Sequence, residues 1–185
     1  MADFLAPKKT NPRGIPEAPF IEKVETVIKN PETEFDNTMS MFQQRLQQYK
    51  YMEASKKQQL ADLQTKIPDI EKNLDVIKHI KQRKEEGDDK MVTNYELNDT
   101  LYNKATVDVQ NLNSVYLWLG AEVMLEYNLE DATELLNERL KKNQEQLQIV
   151  KEDLEFLKEN ITTMEVNTAR LYNWDVERRK KAKAN

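Results

Sequence analysis

Apolar residues recur at alternating steps of three and four along two long stretches of the chain. In the first stretch, from about residue 32 to residue 87, these positions are Met39, Phe42, Leu46, Tyr49, Leu60, Leu63, Ile67, Ile70, Leu74 and Ile77. In the second, from residue 128 to about residue 181, they are Leu129, Leu136, Leu140, Leu147, Val150, Leu154, Leu157, Ile161, Met164 and Leu171. This spacing is typical of the buried seam of a coiled coil and predicts two long helices.

The first seam contains two kinds of interruption. Glu53 and Lys56 occupy seam positions with charge, and Pro68 lies inside the helical pattern, where it removes the hydrogen bond to Gln64 and predicts a kink. Gly87 and the polar residues around it indicate the helix end. Each helix has roughly 50 residues and would be about 75 Å long.

Between the two helices, residues 91–127 predict two β-hairpins. The stronger signal is Val115–Tyr127, which is rich in β-branched and aromatic residues and has Gly120-Ala121 at its centre. Glycine at the first central position favours a type II′ turn of two residues. A weaker hairpin is predicted around Asn98-Asp99.

A type II′ turn at that glycine would make the second hairpin apolar on both faces, with Trp118 opposite Val123 and Leu117 opposite Met124. Short sheets with exposed edges and apolar faces are marginal alone and indicate an interaction site. We therefore predict that hairpins of several chains form a shared barrel; the alternative is that they fold only onto their own helix pair. The predicted oligomerisation residues are Tyr95, Leu97, Leu101, Tyr102, Val115, Tyr116, Leu117, Trp118, Leu119, Val123, Met124, Leu125 and Tyr127.

The N-terminal residues differ in character from the rest of the chain. Prolines and a glycine within residues 1–18 predict a disordered tail, and apolar residues at helical spacing predict a short helix over residues 19–30. The remaining chain predicts one mostly α domain over residues 19–185. It is a long antiparallel two-helix coiled coil (32–87 and 128–181) with the hairpins at the bend, which brings both chain ends to the far tip.

Apolar residues near that tip are candidates for binding varied protein partners, because exposed Met and aromatic side chains adapt to many surfaces. Some of them lie on the seams and others beside them, where less is available to pack against. An equally weighted alternative is that Trp174 packs on the short N-terminal helix through Phe20 or Val24. The predicted tip residues are Phe35, Met39, Met41, Phe42, Leu171, Tyr172 and Trp174.

Composition narrows the possible functions. Charged residues make up 33% and hydrophobic residues 38% of the 185 residues, which suits a narrow seam rather than a large core. A net charge of −5 argues against nucleic-acid binding, and the lack of cysteine excludes disulfides and thiolate metal sites. No apolar run predicts a signal peptide or membrane helix. With His79 the only histidine and no glycine-rich phosphate loop, we predict no enzyme, metal or cofactor.

The order helix, two hairpins, helix resembles the alpha-class subunits of prefoldin, whereas its beta-class subunits have one hairpin. The resemblance extends over nearly the whole chain after residue 12 and is closest to the eukaryotic subunit three type. The segments that carry it are Arg13–Val24, Leu101–Ala105, Val115–Tyr127 and Thr162–Arg179.

The resemblance implies a subunit of a cytosolic heterohexamer of two alpha-class and four beta-class chains. Its hairpins would join a double β-barrel, and its coiled-coil tip would hold non-native actin and tubulin. These clients would pass to the cytosolic group II chaperonin without ATP. A cytoplasmic location is implied, and an additional nuclear one is left open.

The rival interpretation is a structural protein: a tether or cytoskeletal linker that oligomerises through its β segment. Such a protein would form homodimers and bind a folded partner at each end. It has no need of strands that are apolar on both faces, so the second hairpin favours the chaperone subunit.

Overall fold

The computed structural model describes residues 9–184 and is mostly helical, with two long helices and two hairpins between them, as predicted. No described helix has an apolar stretch long enough to cross a membrane. A three-residue 3-10 helix, Val24–Thr26, precedes the main elements. These are α1 (Pro31–Glu85), β1 (Lys90–Asn98), β2 (Leu101–Asp108), β3 (Ser114–Gly120), β4 (Val123–Asn128) and α2 (Leu129–Ala184).

Local capping explains where the helices begin. Pro31 is the first residue of α1, and a carboxylate oxygen of Glu34 accepts hydrogen bonds from the backbone amides of Lys29 and Asn30 at 2.9 and 3.0 Å. At the start of α2, the side-chain oxygen of Asn128 accepts a 2.7 Å bond from the amide of Asp131. The helix α1 continues through Pro68.

The chain divides into two compact units, each with its own core. We call the described residues up to Ala61 and from Gln148 onward the terminal unit, and Asp62–Leu147 the hairpin unit. The core of the hairpin unit consists of Ile77, Ile80, Leu129, Ala132 and Leu136.

The connection between β2 and β3 is packed and caps the end of α1. Val109 is fully buried and its amide donates to the carbonyl of Asp89 at 3.0 Å. The side chain of Gln110 donates to the carbonyls of Lys84 (3.4 Å) and Asp88 (3.2 Å), so it satisfies acceptors at the helix end.

Both predicted hairpins are present, but the register of the second differs from the prediction. Gly120 pairs with Val123, so the turn residues are Ala121 and Glu122, with φ of 49° and 60°. Positive φ at both central residues is a type I′ turn, not type II′. In the described residues the two hairpins form separate two-stranded sheets.

The shifted turn also changes which side chains are opposite one another. Trp118 lies opposite Met124, and Leu117 lies opposite Leu125. The predicted pairs of Trp118 with Val123 and Leu117 with Met124 are therefore wrong. The turn lies one residue later than predicted, which alone would shift the pairing by two residues. An irregularity between Trp118 and Gly120 reverses one of these, so the net shift is one residue.

The terminal unit departs most from the predicted organisation. Residues 1–8 of the predicted tail lie outside the described residues, but residues 9–18 are not a free tail. Thr10 pairs with Pro16 in a β-bridge, and Ile15 and Ala18 are buried in the core. The predicted helix over residues 19–30 is reduced to the 3-10 turn at Val24–Thr26. Apolar contacts with α1 and α2, rather than local helix formation, order this segment.

Candidate interaction surfaces

One face of the second hairpin carries large apolar side chains that are open to solvent. Tyr116, Trp118 and Met124 are 64%, 58% and 55% exposed. Trp118 and Met124 are opposite each other, and Tyr116 is two residues before Trp118, so the three share one face. A contiguous apolar face on a single chain indicates an interaction surface.

The first hairpin carries a second exposed apolar group, near its turn. Tyr95, Leu97, Leu101 and Tyr102 are each more than half exposed, and Val92 is similarly open. These four predicted oligomerisation residues lie at the distal end of β1 and β2, next to the Asn98–Leu101 pair that closes the hairpin.

The other predicted oligomerisation residues lie in the second hairpin, where some pack against its own helices and others are exposed to solvent. Val115, Leu117 and Tyr127 are half-buried and pack against the core of the hairpin unit. Leu119 is half-buried, whereas Val123 and Leu125 are exposed. The second hairpin therefore uses part of one face to attach to its own helices and leaves the opposite face free.

The predicted tip residues are mostly packed in the terminal unit. Phe35, Phe42 and Leu171 are buried in its core, and Met39 and Trp174 pack against that core. Met41 is half-buried. Only Tyr172, at 62% exposed, presents most of its side chain to solvent.

Residues 11–28, which we call the strap, form a large part of that core. Six strap residues are buried together with residues of α1 and α2: Ile15, Ala18, Ile21, Val24, Val27 and Ile28. The Trp174 indole N–H donates to the carboxylate of Glu25 at 2.9 Å, which agrees with the alternative that this tryptophan packs on the N-terminal segment.

Two buried asparagines of α2 bind the strap through its main chain. Asn167 accepts from the amide of Ile21 at 2.9 Å and donates to the carbonyl of Pro19 at 2.7 Å. Asn160 accepts from the amide of Ala18. These bonds satisfy polar groups that burial would otherwise leave unpaired.

One end of the strap is held by charge. The side chain of Asp153 is fully buried and forms ion pairs with Arg13 and, at 2.9 Å, with Lys56 of α1. It also accepts a 2.9 Å hydrogen bond from the Asn11 amide group. Burial by itself raises the pKa of Asp153, but the cations of Lys56 and Arg13 outweigh burial and hold that pKa below its ordinary value.

From the sequence, Trp174 was linked to the N-terminal segment as one alternative, whereas Asp153, Asn160 and Asn167 were not identified, although a signal for them exists. Asp153, Asn160 and Asn167 recur at intervals of seven, and Asp153 and Asn160 directly precede the α2 seam residues Leu154 and Ile161. Polar residues at one heptad position, beside an otherwise apolar seam, indicate a third segment packed along the helix pair.

Comparison with known proteins agrees with this architecture. The sequence model of the family described as Prefoldin subunit matches residues 49–174. At the level of structure, the chain is similar to a subunit in the cryo-EM structure of filamentous PFD from Methanocaldococcus jannaschii. The TM-score is 0.52 at 13% identity, and the match covers 68% of this chain and 98% of that one. At this identity the structural likeness supports the fold alone.

Several curated proteins are similar over nearly their whole length. Prefoldin subunit 3 of Saccharomyces cerevisiae is 49% identical, over 94% of this chain and 89% of that protein. The probable prefoldin subunit 3 of Schizosaccharomyces pombe is also 49% identical, over 94% and 98%. Prefoldin subunit 3 of Homo sapiens is 43% identical, over 91% and 84%.

Proposed function

The chain belongs to the prefoldin subunit family, and from this premise we propose that it works without enzymatic activity in a hexamer that binds non-native proteins. In this proposal its partners are alpha- and beta-class prefoldin subunits. The clients are unfolded actin and tubulin, which are delivered to the cytosolic group II chaperonin without ATP. The proposed location is the cytoplasm, with a nuclear pool as an additional proposal.

The observation that carries the proposal is the exposed apolar surface of both hairpins. Tyr116, Trp118 and Met124 are open on one hairpin and Tyr95 and Tyr102 on the other. A lone chain that exposes this many aromatic groups gains free energy by covering them, at roughly 25 cal/mol per Å². Hairpins of partner subunits are the proposed cover.

The first test is the mass and composition of the native complex that copurifies with this chain from its own cells. A particle of six chains, in which other prefoldin subunits accompany this one, supports the proposal. A homodimer, or one filamentous partner, contradicts it and favours the tether.

A paired variant tests the role of the hairpin face. The double substitution Tyr116→Ser/Trp118→Ser removes two exposed aromatics, so we expect little effect on the chain's own folding but loss of the six-chain particle. Tyr51→Ser is the matched control, because Tyr51 is a 78% exposed aromatic on α1 in the terminal unit. Equal assembly of both variants, measured by native mass spectrometry, would contradict the assignment.

Client binding is tested separately on the assembled complex. When denatured actin is diluted into buffer without ATP, the complex should suppress the light scattering that actin aggregation causes. The exposed Tyr172 is the proposed contact on this subunit, so Tyr172→Ser should reduce cross-linking of actin to this chain while Tyr51→Ser does not. No suppression by an intact hexamer would contradict the proposed client function.

A further inference from the structure

The strap lies in a groove in the way that a bound peptide does. The polar residues of this groove are Tyr49 of α1 and Asp153, Asn160, Asn167 and Arg170 of α2. The strap runs parallel to α2, with Arg13 at Asp153, Ala18 at Asn160 and Ile21 at Asn167. Apart from the bridge near residue 10 and the turn at Val24–Thr26, the described part of it has no regular secondary structure. Its order comes from the groove.

Most polar contacts along the middle of the strap are made to its main chain. Besides the two asparagines, the Tyr49 hydroxyl donates to the carbonyl of Pro16 at 2.8 Å. The Arg170 guanidinium donates to the carbonyl of Ile21 at 2.8 Å. Such bonds do not depend on the side chains of the bound segment, as in other modes of extended-peptide recognition.

The buried strap side chains follow a simple rule of spacing. Ile15, Ala18, Ile21, Val24 and Val27 recur at every third residue. Between them, Glu17, Phe20, Glu22 and Lys23 are exposed. The groove therefore favours small or aliphatic residues at intervals of three, with Ile28 as one further buried position, and leaves these four residues open to solvent.

Contacts that identify this particular segment are concentrated near its two ends. Arg13 and Asn11 bind Asp153 at one end, and Glu25 binds Trp174 at the other. The Arg170 guanidinium also lies 4.6 Å from the centre of the Phe20 ring, but that ring is 52% exposed.

We propose that this groove is a seat for an extended segment of a non-native polypeptide and that the strap is its intramolecular occupant, which a client displaces. The client segment is extended, with small or aliphatic residues at every third position, and it takes over the bonds to Asn160, Asn167, Tyr49 and Arg170. This inference rests on the proposed function and deepens it.

The burial of the groove's polar residues is consistent with direct exchange of the strap for a client segment. Asn167 and Asp153 are wholly buried, and an empty groove would leave the Asn167 amide without partners. The seat therefore stays filled, by strap or by client. Because the strap competes, a client's apparent affinity is its intrinsic affinity multiplied by the fraction of time that the strap is displaced, which keeps each contact weak and reversible.

Hydrogen exchange on the assembled hexamer tests the proposal. Protection of the Ala18 and Ile21 amides is measured with and without chemically denatured actin as the probe. Loss of this protection when actin binds is the expected result. If actin binds and strap protection is unchanged, the displacement proposal is overturned while the proposed function stands. If the hexamer binds no actin, both are overturned.

A loosened strap provides a second, quantitative test. Arg13→Ala removes the charged anchor, so strap protection should be lost at about tenfold lower actin concentration. Lys23→Ala is the matched control, since Lys23 is an exposed strap residue. Equal actin midpoints for the two variants overturn the proposal.

A disulfide that fixes the strap in the groove should have the opposite effect and reduce actin binding. The chain has no cysteine, and the Asn160 side chain accepts from the backbone amide of Ala18, so Ala18→Cys/Asn160→Cys introduces two thiols on the facing segments for oxidation to join. The oxidised hexamer should cross-link denatured actin to this subunit at least tenfold less than the same protein after reduction. Equal cross-linking in both states, with the disulfide verified by mass spectrometry, overturns the proposal.

Discussion

Single charged residues that interrupt the apolar pattern have specific partners in the fold. Lys56 occupies a seam position of α1, and its ammonium group lies 2.9 Å from a carboxylate oxygen of the buried Asp153. Arg13 of the strap binds the same carboxylate. The interruption was visible in the sequence. Its cause was not, because the two partners of Asp153 come from segments far from it along the chain.

Asp153 should make the stability of the terminal unit depend on pH. Its pKa is lowered in the folded chain, so its ionised form favours folding. This contribution is complete above the unfolded pKa of about 3.9 and is lost as pH falls through the lower folded value. We expect the thermal midpoint of the native complex to fall below about pH 4.

The control for this pH dependence replaces the carboxylate. Asp153→Asn should be less stable than the native chain at pH 7 and should lose part of the acid-dependent decrease. Glu152→Gln serves as the matched variant, because Glu152 binds Arg13 at 3.2 Å but is half exposed. Identical pH curves for the native chain and Asp153→Asn would contradict the assignment.

Asn167 should contribute more to strap docking than an exposed asparagine of the same helix. Asn167→Ala leaves the amide of Ile21 and the carbonyl of Pro19 without their partner, at a cost of roughly 2–3 kcal/mol in local opening free energy. Hydrogen exchange of the strap amides in the assembled complex measures this cost. Asn173→Ala, at an exposed position, should change it little; a similar effect from both would refute the role of Asn167.

At the scale of elements, the structure agrees with the sequence wherever local periodicity determines the outcome. The α1 and α2 seams are set by repeats of three and four, so both helices could be predicted. The strap has a period of three, and Pro12, Pro16 and Pro19 disfavour a helix. Its apolar residues Val24, Val27 and Ile28 nevertheless suggested one, because periodicity alone does not reveal a distant partner.

The turn of the second hairpin shows a second limit of local rules. Glycine at position 120 suggested a type II′ turn, yet Gly120 has φ of 94° and is followed by positive φ at Ala121 and Glu122. Residues with side chains are disfavoured in this region, so the sequence argued against the turn that forms. The register of β3 and β4 changes with it.

This strain predicts a stabilising substitution. Ala121→Asn/Glu122→Gly supplies the residues that a type I′ turn prefers and should stabilise the hairpin by roughly 1–2 kcal/mol, raising the thermal midpoint of the complex. Gly120→Ala is the converse variant. No atom of this chain lies within 4 Å of the added methyl group, so within the chain the substitution introduces backbone strain and no steric clash. An unchanged midpoint in both variants would contradict the turn type.

At the scale of the whole molecule, the proposed assembly surface and the docked strap belong to different compact units. The hairpin unit has its own core, built from residues such as Ile77, Leu129 and Leu136, and the exposed hairpin faces lie within it. The strap contributes only to the core of the terminal unit. The sequence indicated one domain, because neither helix is broken at the boundary.

Removal of the strap should therefore loosen the core of the terminal unit without preventing assembly. When residues 1–28 are deleted, we expect the complex still to assemble, with its mass reduced only by that of the deleted residues. Hydrogen exchange in the terminal part of α2, around Leu157 and Met164, should accelerate because half of the surrounding core is absent. Exchange around Leu129 and Leu136 is the internal control. Loss of assembly on deletion would show that the two units are coupled.

The long sequence separation between the strap and its groove has a consequence for synthesis. The hydrogen bond between Asn11 and Asp153 joins residues 142 apart in sequence. At about 5–20 residues per second, the strap is translated roughly seven to thirty seconds before the groove residue Asp153. During that interval Ile15, Ile21 and Val24 have no native place to bury, so this subunit is itself a nascent chain that needs shielding from aggregation.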